Sequence, residues 1–140
     1  MQAAPQAGNE ITRSLNALAL LASGNEKYLP VVKEQVRLLS EYNRNSGVRT
    51  WFYAYVNILL AEYVIATGDR TSVKSGLERI TRKIVDGQSV VGSWGHGFIQ
   101  GPHNRLEGYG MMNAPGIPLT YSLALAQRAQ VDVPRLDKAL

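Results

Sequence analysis

The 140-residue chain contains no cysteine, which removes disulfides, thiolate nucleophiles and cysteine-ligated zinc together. It also lacks a long hydrophobic run. The most apolar stretch, residues 51–66, carries Asn57 and Glu62 and falls short of the about 20 residues a bilayer span needs, so membrane insertion is not expected and a buried core helix is. Residues 1–8 have neither a basic start nor an apolar centre, so they do not read as a signal peptide. Histidine is scarce: His96 and His103 are the only two. With no third clear ligand, neither a metal nor any other cofactor is expected. Strong charge of one sign is missing as well. Fifteen Lys and Arg against eleven Asp and Glu leave a formal charge of +4, and the basic residues form no run and are interleaved with Glu34, Glu41 and Glu78. A nucleic-acid groove needs clustered positive charge, so no nucleic-acid partner is expected.

What is present is helical punctuation. With 45% hydrophobic and 19% charged residues the chain belongs to the globular class, and its length suits one domain with one core. Two apolar segments end alike, in Ala22-Ser23-Gly24-Asn25 and in Ala66-Thr67-Gly68-Asp69. Glycine there accepts a left-handed backbone and closes a helix, and the following Asn or Asp can cap the next one. Each reads as a tight antiparallel helical hairpin. A third, weaker copy is a helix over residues 119–130, with Asp132 as the next cap and Pro134 in the next first turn.

The paired helices differ in kind. Val73, Leu77, Ile80 and Ile84 recur at helical spacing opposite Lys74, Glu78 and Arg82, a one-sided pattern, whereas residues 51–66 are apolar nearly all round. In the first pair, Leu15, Leu18, Ala19 and Ala22 belong to an inner helix. They precede an outer helix with Val32, Val36 and Leu39 inward and Lys33, Arg37 and Glu41 outward. The fold expected is all-α: antiparallel helical hairpins forming an arc of an α/α toroid over residues 1–140, with a long glycine-rich segment between hairpins. Two and a half hairpins make part of a longer toroid or an array completed by pairing with copies of itself, so a homo-oligomer is expected.

Residues 57–69, 87–98 and 108–116, with the phrases Trp94-Gly95-His96-Gly97-Phe98 and Gly108-Tyr109-Gly110-Met111-Met112-Asn113, resemble a family of uncharacterised bacterial exported proteins. These carry a terpenoid-cyclase-like α/α-toroid region and often a peptide-binding PDZ-like domain. The resemblance covers roughly residues 51–131. It implies the toroid fold and an extracytoplasmic setting, and it carries no established activity with it.

The candidate chemistry lies in residues 86–118, which hold both histidines and eight of the thirteen glycines. A segment of this length without its own secondary structure is usually functional, and its aromatic content argues against disorder. The leading expectation is a non-catalytic binding or scaffold domain for glycan or peptide, with Trp94, His96, His103, Asn104 and Glu62 as the binding residues. Glu62 stands out because a carboxylate in so apolar a helix needs a cationic partner or a cavity. The rival is a polysaccharide lyase-like enzyme for acidic glycans, in which Arg105 and Asn113 hold a uronate carboxylate and His96 or Tyr109 moves the proton. Convergence of His96, Tyr109 and Asn113 on one open concavity would favour the enzyme. Their burial in packed protein would favour the binding module.

Overall fold

The computed structural model describes residues 9–44, 49–99 and 110–140, and among these residues it is all-helical, with no strand. Among the described residues six helices follow one another: α1 Glu10–Ala22, α2 Leu29–Ser40, α3 Thr50–Thr67, α4 Lys74–Asp86, α5 Asn113–Arg128 and α6 Leu136–Ala139. A 3-10 turn at Glu26–Tyr28 leads into α2. Helix α3 packs mainly on α1 and α5, and each of α1, α3 and α5 also packs on the helix that follows it. Helix α4 touches both α2 and α6. The result is two layers, α1, α3 and α5 in one and α2, α4 and α6 in the other. No described helix is long and apolar enough to cross a membrane.

The glycine stops work as the sequence indicates, while the expected caps fall short of α2 and α4, which start without a side-chain cap. Gly24 and Gly68 take left-handed φ angles of 65° and 72°, the Asn25 side chain accepts from the Lys27 amide, and Asp69 accepts from the Ser72 amide. Helices α2 and α4 bury the expected face: Val32, Val36 and Leu39 on α2, and Leu77, Ile80 and Ile84 on α4 with Val73 just before it. On α4, Gly76 sits so close to Ser40 that a Cβ there would lie 2.7 Å from the Ser40 carbonyl oxygen. Its missing side chain lets α4 approach the end of α2.

Three expectations are corrected. On α1 the covered residues are Ser14 and Ala17, while Leu15 is 47% exposed. The helix wedges against α2 and α3 at once, so its covered stripe lies between two neighbours rather than on its most apolar line. Helix α5 starts at Asn113, not at residue 119, and runs through Pro115 and Pro118. Pro115 falls in the first turn, where amide hydrogens have no intrahelical acceptor anyway, and only Pro118 costs a helical bond. The glycine-rich segment accordingly ends at Met112 instead of Pro118. The third cap also fails: α6 begins at Leu136 after Arg135, whose φ is +68°, and not at Asp132.

Inside the core, α3, α4 and α5 are tied by one polar triangle. Asn57, Thr81 and Ser122 are all fully buried. The Thr81 hydroxyl donates to Asn57 Oδ1 at 3.1 Å, and Asn57 Nδ2 donates to Ser122 Oγ at 3.3 Å. The Ser122 hydroxyl in turn donates to the Leu119 carbonyl. Groups buried this deeply are stabilising only as a satisfied set.

A second polar cluster joins the far end of α3 to α2 and α4. Asp69 accepts from the Tyr63 hydroxyl at 2.9 Å and from the Ser72 amide and hydroxyl, with the Lys33 ammonium 3.2 Å away. Hydrogen bonds from Ser72 hold the Asp69 carboxyl well below the usual carboxylate range, and burial pushes the Tyr63 hydroxyl up to about 12. Because the folded-state value of Asp69 is depressed, its contribution is complete above the unfolded value near 4 and is lost as pH falls through the folded one. Asp69→Asn should lower the unfolding midpoint at neutral pH and leave a shallower loss of stability between about pH 4 and pH 2, measured by urea denaturation at several pH values.

Candidate functional site

The described part of the glycine-rich segment, residues 87–99, clasps three helix ends. Helix α3 has no side-chain cap at its start, and its first amides instead meet a carbonyl from this segment. The Arg49 and Thr50 amides donate to the His96 carbonyl at 3.0 and 3.3 Å, and the buried Thr50 hydroxyl donates to the Gly95 carbonyl at 2.7 Å. Trp94, 1% exposed, sends its indole N–H to the Ile84 carbonyl at 2.9 Å, in the last turn of α4. The Trp94 carbonyl accepts from the Met112 amide at the entry of α5. Orphan groups at helix ends must find partners, and here a single loop supplies them. Two of the glycines have separate reasons: Gly87 lies under the Phe98 ring, which leaves no room for a Cβ, and Gly92 turns with a left-handed φ of +79°.

Two clefts open beside this clasp. The first, of about 560 Å³, lies between the turn at Gly92 and Ser93 and helix α5, and is lined by Trp94, Asn113, Ile117, Thr120, Tyr121 and Ala124. Its rim is apolar and open to solvent: Ile117 is 70% exposed and Tyr121 53%, and Val90 and Val91, just before the turn in sequence, are exposed as well. No charged side chain lines it among the described residues. The second cleft, bordered by Gly87, Phe98 and the C-terminal half of α4, is basic.

The sequence candidates separate on this frame. Trp94 and Asn113 come together in the first cleft, with Trp94 presenting little surface because its ring is buried and its N–H engaged. His96 is not among the residues lining either cleft. Its ring packs edge-on against Trp51, with centroids 5.0 Å apart. Glu62 lies half-buried on α3, in register with the half-buried Tyr55 and Ile65, and lines neither cleft. His103, Asn104, Arg105 and Tyr109 lie outside the described residues. Among the described residues no three His, Asp or Glu side chains gather as a metal site would require. Sequence reasoning missed Ile117, Thr120 and Tyr121. Their helical spacing was the available signal, obscured by placing the start of α5 too late.

The two tryptophans give a direct check on the clasp. Trp94→Phe leaves the Ile84 carbonyl buried without its donor and should cost about 1–3 kcal/mol. Trp51→Phe removes only part of a half-exposed edge contact and should cost less than about 1 kcal/mol. Urea unfolding of the two variants measures the difference.

No curated protein and no solved structure matches the chain. A family model does match, over the whole of residues 1–140, and the chain belongs to that family, described as Domain of unknown function (DUF6288).

Proposed function

We propose that the domain is a non-catalytic binding module, an arc of an α/α toroid that holds an apolar segment of a partner polypeptide between the turn at residues 92–93 and helix α5. The observation that carries this reading is a groove lined by the exposed Ile117 and Tyr121, with no charged side chain among the described residues, next to a turn that the exposed Val90 and Val91 precede in the chain. Exposed apolar side chains scattered singly need no explanation, but a contiguous patch of them marks an interaction site. Asn113, Ser93 and Thr120 line the same groove and supply amide and hydroxyl groups for a peptide backbone. A glycan would call for more polar partners and broader aromatic platforms than Tyr121 alone offers.

The toroid reading rests on the two-layer packing, in which α1, α3 and α5 form the inner layer and α2, α4 and α6 the outer one. The open face of the inner layer carries Leu15 on α1 and the half-buried Trp51, Tyr55, Glu62 and Ile65 on α3. The lyase-like alternative finds less support. His96 packs on Trp51 and does not line the groove that holds Asn113, while Arg105 and Tyr109 lie outside the described residues.

Selection from a random peptide library should enrich sequences rich in Leu, Ile and aromatic residues. The double variant Ile117→Ser with Tyr121→Ser should weaken the selected peptides at least about tenfold. Absence of enrichment would contradict the proposal. So would a concentration-dependent dimer that the double variant abolishes, because the groove would then belong to a second copy of the chain.

A further inference from the structure

A smaller cavity, of about 220 Å³, opens beyond the C-terminal end of α5 and shares no residue with the peptide groove. Its floor is apolar: Val64 in the last turn of α3, Leu77 on α4, and Ala129 and Val131 just past α5. Val131 is half-buried and the other three are buried. Around this floor stand Arg70, Lys74, Glu78, Gln130 and Asp132. Two cations and two carboxylates thus border one apolar hollow, and none of the four is in an ion pair among the described residues.

Helix energetics do not explain these placements. Lys74 opens α4, where the helix dipole disfavours a cation, and the first turn carries no acidic residue. Arg70 lies one turn earlier in the chain, its carbonyl accepting from the Lys74 amide. Glu78 follows Lys74 on α4 in the less favourable order for an i,i+4 pair. Asp132 has no capping task, since α6 starts only at Leu136. Gln130 follows α5 with a left-handed φ of 57°, at a position that glycine takes with less strain. What a glutamine adds there is its side chain, which accepts from Arg70 Nη2 at 2.8 Å and ties the guanidinium to the cavity rim.

We infer that this cavity binds a free α-amino acid with an apolar side chain. Arg70 and Lys74 take the carboxylate, which a guanidinium fork matches by paired N–H donors and which the start of α4 favours. Glu78 and Asp132 take the ammonium. Arg70, Lys74 and Glu78 advance about one turn per step, so positive charge gives way to negative along the rim, as a zwitterion requires. The floor offers only apolar side chains and receives the side chain of the ligand. The volume lies below the about 300–1,000 Å³ of drug-sized sites, which suits a single amino acid. The inference is independent of the peptide reading.

Calorimetric titration of the full chain with leucine and three analogues tests the site. Isocaproate is leucine without the ammonium, isoamylamine leucine without the carboxylate, and glycine leucine without the side chain. Leucine should bind saturably, and each analogue at least about tenfold more weakly. Arg70→Gln, at an exposed position, and Glu78→Gln, at a half-buried one, should each weaken leucine by at least about tenfold. Lys27→Gln, in the turn before α2, should leave it unchanged. Gln130→Gly should weaken leucine without lowering the unfolding midpoint, because glycine suits the left-handed backbone while the tether to Arg70 is lost. Absence of saturable leucine binding would overturn the inference. So would an analogue that binds as tightly as leucine, which would mean a plain carboxylate, amine or backbone site. Equal weakening by Lys27→Gln and Arg70→Gln would overturn it in favour of diffuse surface charge.

Discussion

The molecule depends on how the start of helix α3 is closed. This helix is the most deeply covered element, yet it begins at Arg49 and Thr50 without any side-chain cap. Buried amide hydrogens left unpaired each cost about 1–3 kcal/mol. The His96 and Gly95 carbonyls remove that cost by accepting from Arg49 and Thr50. The segment that carries those carbonyls is therefore held in one conformation by the core helix it closes. Trp94, anchored on the Ile84 carbonyl, fixes the same segment to α4.

Both clefts follow from that anchoring. The turn at Gly92 and Ser93 forms one wall of the groove beside α5, and Gly87, Phe98 and Ile99 form one wall of the basic cleft. The Trp94 indole and the His96 carbonyl both act as anchors of the segment. The Asn57, Thr81 and Ser122 triangle keeps α3, α4 and α5 in register behind them, so the walls of both clefts are set by one buried network.

The helical class, the glycine stops at Gly24 and Gly68 and the inward faces of α2 and α4 were legible in the sequence because each is a local property of spacing or backbone permissiveness. What was not legible is tertiary. The face that α1 buries depends on two neighbours at once, and the start of α5 depends on whether Pro115 falls in a first turn. The clasp was hidden for a further reason: it is made by backbone carbonyls of Gly95 and His96, and a carbonyl leaves no mark on residue identity. The gathering of Arg70, Lys74 and Glu78 with Asp132 likewise needs the end of α5 packed beside α4, which no run of charge announces.

Native-state amide hydrogen exchange at Arg49 and Thr50 tests the closing of α3 most directly. These two amides should exchange as slowly as the core amides of Leu59 and Leu60, opening only with global unfolding. Exchange at the rate of a frayed helix end would contradict the account, because the 87–99 segment would then lie beside α3 without capping it.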